Sequence, residues 1–180
     1  HNVRHIGSKM ISGGVPEGDA GFDELKAMGV KTIISVDGAT PEVDKAKARG
    51  MRYVHIPITY AQAIPKQQLE LARAVRDLPG PIYIHCHHGK HRSPAAAASV
   101  AGLLGEKTPE EAVAFMKDAG TAVSYTGLYE CVATATVAVG PNTNYFYAVT
   151  SVSSDGLDES PLSATSGAAF NNLLTTGNYN

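Results

Sequence analysis

One short segment holds most of the groups in this sequence that could do chemistry. Residues 85–93 read His-Cys-His-His-Gly-Lys-His-Arg-Ser, and the apolar stretch 81–84 precedes them. Five residues separate Cys86 from Arg92, which is enough for the backbone to curl with its N–H groups pointing inward at the start of a helix. Such an arrangement binds anions. The segment therefore predicts a loop that holds a dianion of the size of a phosphate group.

Each part of this segment has a predicted role. The field of the loop stabilises the thiolate form of Cys86, which is the nucleophilic form of cysteine. Arg92 can bind two phosphate oxygens with its planar fork, and Ser93 can donate a hydrogen bond to the sulfur. Gly89 permits the positive φ that such a turn often needs, and His85 is expected to brace the loop through its ring nitrogens. The predicted phosphate-binding residues are those of the loop itself: His87, His88, Gly89, Lys90, His91 and Arg92.

This segment resembles the signature H-C-x5-R-S/T of the protein tyrosine and dual-specificity phosphatase superfamily, which His85, Cys86, Arg92 and Ser93 match. The resemblance covers about residues 3–132. Residues 89–92 are similar to the compact atypical dual-specificity enzymes of plants and fungi, some of which act on inositol pyrophosphates, and to bacterial phosphatase domains. The resemblance implies hydrolysis of phosphate monoesters through a phosphocysteine intermediate, without metal or cofactor. The implied partners are a phosphorylated protein, carrying phosphotyrosine, phosphoserine or phosphothreonine, or a small phosphate ester such as an inositol phosphate.

The sequence departs from this family at the proton donor. The family usually places an aspartate on the loop after the strand that corresponds to residues 51–56, whereas residues 56–65 here contain no carboxylate. Asp37 follows another strand and is the best substitute, although an Asp-Gly pair is equally typical of a simple turn. Less favoured donors are Asp44, His88 and His91. A substrate with a good leaving group, such as a phosphoanhydride, would need little help from an acid.

The elements that must position these residues alternate along the chain. Strands are predicted at residues 31–36, 51–56 and 81–85, and helices begin at Thr40-Pro41 and at Pro65. Alternating strands and helices predict an α/β fold with a central, mostly parallel sheet flanked by helices, and ligands bind at the carboxyl ends of such strands. Asp37 and Cys86 are therefore expected at the same edge.

The remaining elements complete this prediction. A short hairpin is expected over residues 3–13, with its turn at residues 7–9, and Phe22, Leu25 and Met28 indicate a helix before Gly29. Three more helices are expected. The first covers residues 93–104, the second runs from a capping box at Thr108 to near Gly120, and the third covers residues 125–134.

The chain divides by composition near residue 135. No Lys or Arg follows residue 117, and no His follows residue 91. Residues 1–134 are predicted to form the phosphatase-like domain. Residues 135–180 form a short β-rich tail that resembles the last strands of a fibronectin type III domain, with a hairpin at 144–152 and 161–169. A lone hairpin is only marginally stable in water.

Composition limits the classes of function. A net charge of -2 excludes a globally basic nucleic-acid binder, and no stretch approaches the roughly 20 apolar residues that span a bilayer. Two cysteines make a poor disulfide framework, and a free catalytic thiol favours a reducing, cytoplasmic compartment. Cys131 is expected to be a helix residue with a packed side chain. The alternative is a regulatory disulfide between Cys131 and Cys86. The oligomeric state is not predicted.

Other interpretations of the segment stay open. Cys86 could be a buried structural residue, and the histidine cluster could suggest zinc, but consecutive residues do not easily converge on one tetrahedral centre. The loop could also bind phosphate without turnover, or serve sulfur transfer or arsenate reduction. Lys90 and its flanking histidines could attract a polyanionic substrate or be a solvated surface, and Tyr60 could line the pocket or simply pack.

Overall fold

A computed structural model describes residues 1–138 of the chain. It contains five strands, which are β1 (Arg4–Ile6), β2 (Met10–Gly14), β3 (Thr32–Ser35), β4 (Arg52–His55) and β5 (Ile82–Cys86). It also contains six helices, which are α1 (Gly18–Ala27), α2 (Val43–Ala48), α3 (Pro65–Asp77), α4 (Arg92–Leu103), α5 (Pro109–Asp118) and α6 (Thr126–Ala138). The mixed α/β class predicted from the alternation is confirmed.

The strands form one sheet in the order β1-β2-β5-β3-β4. Strand β1 pairs with β2 in an antiparallel hairpin, and the other pairs are parallel. The register aligns Gly14 of β2 with Cys86 of β5, and Ser35 of β3 with His85 of β5. Because β5 lies in the middle, its carboxyl end is flanked by the ends of β2 and β3, and the predicted edge for ligands is therefore formed around Cys86.

The two faces of the sheet are covered by different helices. Ile33 and Tyr83 point to one face and pack with Phe22 and Leu25 of α1. Their neighbours in sequence point to the other face and join the larger core formed with α3, α4, α5 and α6. This alternation is the two-residue period of a strand.

Helix α4 is buried along its whole length and is rich in alanine, from Ala95 to Ala98 and again at Ala101. A helix that is apolar on all sides is expected in the interior. Small side chains let the neighbouring elements approach it closely. The first residue of this central helix is Arg92, so the arginine is fixed at the sheet edge by the most deeply buried helix of the fold.

Several boundaries differ from the sequence prediction, most of them by one residue. Helix α2 begins at Val43 rather than at Pro41, because the Val43 N–H donates to the Pro41 carbonyl and forms a tight turn first. Strand β5 continues through Cys86 instead of ending at His85. Helix α6 continues to Ala138, beyond the expected end at residue 134. The predicted fibronectin-like hairpin lies outside the described residues.

The local signals for helix starts were more reliable where side chains supply the cap. Thr108 accepts a hydrogen bond from the Glu111 N–H, and the Glu111 carboxylate accepts one from the Thr108 N–H, which is the predicted capping box. No helix in the described part of the chain is long and apolar enough to cross a membrane.

Candidate active site

Cys86 is the last residue of the central strand and lies at the floor of a tight loop. Its side chain is only 3% exposed, and residues 87–91 form successive bends before α4 begins at Arg92. The strand fixes the position of the sulfur from one side, and the buried helix fixes the other end of the loop. The loop is thus held between two of the most rigid elements of the fold.

The carbonyl groups of this loop are bound from outside. The His87 carbonyl accepts the Val15 N–H at 3.1 Å. The Gly89 carbonyl accepts the Asn2 side-chain amide at 2.8 Å, and the Lys90 carbonyl accepts the Thr121 hydroxyl at 2.7 Å. By contrast, the N–H groups of residues 87–92 donate to no group within residues 1–138. A run of unpaired amides at a helix N-terminus forms an anion-binding nest.

Gly89 is required by the shape of this loop. Its φ is 73°, in the left-handed region, and an added Cβ would lie 2.5 Å from the backbone of both Gly13 and Gly14. The loop therefore packs directly on the end of β2, where two glycines leave the room. Both the backbone angle and the close approach exclude a side chain at this position.

A short hydrogen-bond chain leads from the sulfur to strand β2. The Cys86 Sγ lies 3.3 Å from the Ser93 Oγ, and the Ser93 hydroxyl donates to the Gly13 carbonyl at 3.0 Å. A hydroxyl has a single proton. While the hydroxyl proton points to the Gly13 carbonyl, the Ser93 oxygen can accept the S–H of the Cys86 thiol. When Cys86 is ionised, the hydroxyl can turn and donate this proton to the sulfur instead. Ser93 can therefore serve both states of the cysteine.

Arg92 is held on three sides. Its Nη1 and Nη2 atoms lie 3.4 and 3.3 Å from the two carboxylate oxygens of Asp37, and both side chains are largely buried, at 9% and 14% exposure. Nη2 also donates to the Tyr60 hydroxyl at 3.0 Å, and the guanidinium carbon lies 4.2 Å from the centre of the Tyr60 ring. The buried Nε has no partner among the described residues. An orientated donor is thus left free at the mouth of the loop.

Asp37 forms a turn bond and also pairs with Arg92, and neither contact tests its expected role as a proton donor. Its carboxylate accepts the Ala39 N–H at 3.2 Å, as in an Asx turn, while it also pairs with Arg92. Burial raises the pKa of Asp37, but the Ala39 amide, the charge of Arg92 and the Gly38 amide outweigh burial, so that the pKa lies below the ordinary 3.8. Asp37 is therefore a carboxylate at neutral pH in this structure.

Solved structures with the same fold include several phosphatases. A provisionally assigned phosphatase (DUF442) from Shewanella putrefaciens CN-32 has a TM-score of 0.65 at 17% identity, over 78% of this chain and 92% of that one. The core catalytic domain of the PP-IP phosphatase SIW14 from S. cerevisiae has a TM-score of 0.64 at 15% identity, over 73% and 83%. TpbA from P. aeruginosa has a TM-score of 0.54 at 21% identity, over 73% and 91%. No protein-family model and no curated protein matches the chain.

The chain has the cysteine phosphatase fold. The predicted fold class and the predicted likeness to the superfamily are thereby confirmed. At 15% to 21% identity the similarity establishes the fold, and the chemistry must be argued from the residues of this chain.

His85, which precedes the cysteine of this phosphatase fold, lies on the opposite face of the sheet from Cys86. Its Nε2 is 2.6 Å from the Tyr53 hydroxyl, and its ring packs between Tyr53 and Tyr83. Burial lowers the pKa of His85 to about 4 and raises the pKa of Tyr53 to about 12. Both groups are neutral near pH 7. The bond to Tyr53 therefore anchors strand β5 to β4, and an interaction with the Cys86 backbone, which opposes the effect of burial on this pKa, links the ring to the start of the loop.

The less favoured proton donors lie in unsuitable surroundings. Asp44 is exposed in the first turn of helix α2 and has no contact with the loop after β5 among those the structure shows within residues 1–138. The pKa of His91 is lowered, first by burial and then by the charges of Lys90, His88 and Arg92, and its Nδ1 accepts the Ala122 N–H at 3.4 Å. His87, His88 and Lys90 are exposed on the rim of the loop. Within residues 1–138, no group of three or more His, Cys, Asp or Glu side chains could hold a metal ion.

Both cysteines are free. The Cys131 sulfur accepts the Ala63 N–H at 3.2 Å and donates to the Ala63 carbonyl at 3.1 Å. Burial raises the pKa of the Cys131 thiol. Cys131 therefore ties helix α6 to the loop before α3, which is the loop that contains Tyr60.

Three contributors to the loop after β5 were not found from the sequence. Asn2 and Thr121 bind loop carbonyls from 87 and 31 residues away along the chain. The Gly13-Gly14 pair at the end of β2 makes room for Gly89. Only the glycine pair had a signal, because glycine inside a strand often marks a close approach of another backbone. Side-chain anchors of distant carbonyls leave no local pattern.

Proposed function

We propose that this protein is a cysteine-dependent phosphatase that hydrolyses phosphate monoesters through a phosphocysteine intermediate. The observation that carries the proposal is the loop itself, which begins at the buried Cys86, ends at Arg92 and has amides that donate to no group within residues 1–138. This arrangement can bind a phosphate group with its phosphorus beside the sulfur. The roles of the individual residues are part of the proposal.

The reaction proceeds in two displacements. In the first, the Cys86 thiolate attacks phosphorus, an S–P bond forms, the ester P–O bond breaks, and the leaving oxygen takes a proton from an acid. In the second, water attacks phosphorus, the S–P bond breaks, and the water's proton returns to the conjugate base of that acid. The loop amides and Arg92 stabilise the charge on the equatorial oxygens, while Ser93 can direct its hydroxyl to the departing thiolate.

Substrate binding changes the surroundings of Asp37. A phosphate dianion in the loop places like charge beside its carboxylate and competes with it for Arg92. In the resting state this carboxylate positions the guanidinium at the mouth of the loop. Its role as the proton donor remains a prediction, which a series of leaving groups can test.

The substrate class follows from an open rim that carries Lys90. The exposed His87, His88 and Lys90 surround the mouth of the loop and favour anionic substrates. Among the similar structures, SIW14 is a PP-IP phosphatase and one TpbA structure is a complex with pTyr. For this chain we propose a phosphorylated protein or a small phosphate ester, including inositol phosphates.

The proposal is tested by hydrolysis of an aryl phosphate. We expect the wild-type protein to turn over and Cys86→Ser to lose activity by roughly 10³-fold or more, because a serine hydroxyl is a far weaker nucleophile than a thiolate near neutral pH. Cys131→Ser is the matched control, since it removes the other free thiol, and it should keep most of the activity. Equal rates for wild type and Cys86→Ser would defeat the proposal.

Two other outcomes would identify the alternatives. Binding of inorganic phosphate by the wild-type protein without any turnover would indicate a phosphate-binding module. Sulfur release from thiosulfate, or thiol-dependent turnover of arsenate, in the absence of phosphatase activity would indicate other cysteine chemistry at the same loop.

A further inference from the structure

We infer that Tyr60, and not an aspartate, donates the proton to the leaving oxygen of the substrate. This inference rests on the proposed phosphatase function and names a residue for one of its steps. It starts from the loop after strand β4, which lies beside Arg92 and contains no carboxylate between residues 56 and 65.

The first observation is that Asp37 is already engaged. Both of its oxygens face the Arg92 guanidinium, and one of them also accepts the Ala39 N–H. A carboxylate in this position has no proton to give, and its surroundings favour the charged form. Protonating it would remove the partner of a buried arginine, which is costly in free energy. Asp37 is better suited to holding Arg92 than to general acid catalysis.

The second observation is that the Tyr60 hydroxyl has an unused proton. Its oxygen accepts the Nη2–H of Arg92 at 3.0 Å, and this O–H donates to no other described residue. A phenol carries one hydroxyl proton, which it can donate. The hydroxyl is therefore a proton donor that lies next to the arginine that binds the phosphate, on the side open to the substrate.

The third observation is that the ring is held in a fixed position. Arg92 lies over one face of Tyr60 at 4.2 Å, and Tyr125 stacks on the ring at a centroid distance of 5.3 Å. His91 approaches the ring edge at 6.2 Å. Although 41% of Tyr60 is exposed, its orientation is set by these three contacts. Proton transfer requires such a positioned donor.

The titratable and charged groups around Tyr60 come from four parts of the fold. Arg92 begins helix α4, with Asp37 behind it after strand β3. His91 belongs to the loop, and Tyr125 immediately precedes helix α6. Glu130 of α6 lines the same surface cleft as Tyr60 and Tyr125. Glu130 is thus the remaining carboxylate to be tested beside Asp37.

The proton balance is complete without a further reactant. As the P–O bond breaks, the Tyr60 proton moves to the leaving oxygen, and the tyrosinate that results is stabilised by the adjacent Arg92 cation. When water attacks the phosphocysteine, its proton returns to the Tyr60 oxygen while the S–P bond breaks. Thiolate and phenol are both restored at the end of the cycle.

The test is a series of phosphate esters whose leaving groups differ in acidity, from an activated aryl phosphate to an alkyl phosphate. A proton donor matters most for the poorest leaving group. We expect Tyr60→Phe to lose roughly 10²-fold or more in kcat/KM for alkyl phosphates and little for the most activated aryl ester. Tyr125→Phe is the matched control: it removes a hydroxyl but keeps the ring that stacks on Tyr60, so it should not show the selective loss for alkyl phosphates.

Asp37→Asn and Glu130→Gln complete the design. If Asp37 positions Arg92, Asp37→Asn lowers kcat/KM by a similar factor for every ester, and Glu130→Gln has little effect. The inference is overturned if Tyr60→Phe lowers all esters equally, or if Asp37→Asn or Glu130→Gln shows the selective loss. Affinity for inorganic phosphate verifies that each variant is folded at the loop. These results are distinct from a failure of the phosphatase proposal, in which Cys86→Ser would equal the wild type.

Discussion

At the scale of single residues, the site depends on how the charge of Arg92 is shared. Asp37 and Tyr60 contact its two terminal nitrogens, while its Nε has no hydrogen-bond partner within residues 1–138. A buried guanidinium without a counter-charge would be costly, so the carboxylate stabilises the empty site. In the proposed reaction the bound phosphate takes over part of that role.

This pairing predicts a pH dependence of stability. The pKa of Asp37 in the folded protein lies below its ordinary 3.8, so its stabilising effect is fully present above about pH 4 to 5 and is lost as the pH falls through the folded pKa. The difference in free energy of unfolding between wild type and Asp37→Asn should therefore be constant near neutral pH and shrink in acid. Urea denaturation at several pH values measures it.

The control for this prediction is a double-mutant cycle. In an Arg92→Met background, Asp37→Asn should have a much smaller effect at neutral pH, because the partner charge is gone. A difference that grows in acid, or one that is the same with and without Arg92, would contradict the pairing described for these residues.

The sequence located these residues unequally. Cys86, Arg92 and Ser93 were placed from a local motif, since strand, loop and helix start are consecutive in the chain. Asp37 was left between a turn and a catalytic role, and it forms a turn bond and an arginine pair at once. Tyr60 could not be assigned, because its partner Arg92 is 32 residues away.

At the scale of elements, the loop after β5 has its shape imposed by its neighbours. Strand β2 supports it through Gly13 and Gly14, and Asn2 and Thr121 bind its carbonyls. Orientation of the amides is therefore a property of the packed elements, and not of residues 87–91 alone. Such preorganised donors need not reorganise when charge develops in the transition state.

The loop can be tested through one glycine and its matched control. Gly89 and Gly105 have nearly the same positive φ, 73° and 71°, but a Cβ meets the backbone of β2 only at Gly89. Gly105→Ala should lower the free energy of unfolding by roughly 1–2 kcal/mol, the cost of a left-handed residue, and leave activity unchanged. Gly89→Ala should destabilise more and should also weaken phosphate binding at least tenfold.

Chemical denaturation and phosphate titration of both variants measure the difference. If Gly89→Ala bound phosphate like the wild type, the close packing of the loop on β2 would not be needed for its anion site. If both variants lost phosphate binding alike, backbone strain rather than contact with β2 would be the cause.

Element boundaries followed the sequence only where local chemistry fixes them. The capping box of α5 and Pro65 at the start of α3 were placed correctly. The start of α2 was wrong because backbone bonds near Pro41 delay the helix, which residue preferences do not reveal. The end of α6 was also wrong, since an apolar, uncharged continuation contains no stop signal.

At the scale of the whole molecule, the parallel sheet concentrates the ends of β2, β5 and β3 at one edge. The alternation of strands and helices was sufficient to predict that strand ends meet at one edge of a parallel sheet, because right-handed crossover connections leave few topologies. The order of the strands was not predicted, since pairing partners depend on packing between distant segments. The position of β5 between β2 and β3 is what surrounds the loop with support.

An anion bound at this edge should stabilise the whole fold. Inorganic phosphate at 100 times its dissociation constant should raise the free energy of unfolding by about 2.7 kcal/mol, provided that it binds only the folded state. Cys86→Ser should retain most of this effect, because the amides and Arg92 remain, whereas Arg92→Ala should lose most of it. Denaturation with and without phosphate measures the change, and equal stabilisation of Arg92→Ala would place the anion elsewhere.

The most direct measurement is rapid quenching with denaturant during turnover of an aryl phosphate, followed by mass spectrometry of the peptides. We predict one phosphoryl group on the peptide that contains Cys86 in the wild-type protein and none in Cys86→Ser, which should also fail to turn over. A wild-type protein that hydrolyses the ester while Cys86 is never modified, with Cys86→Ser equally active, would contradict the account.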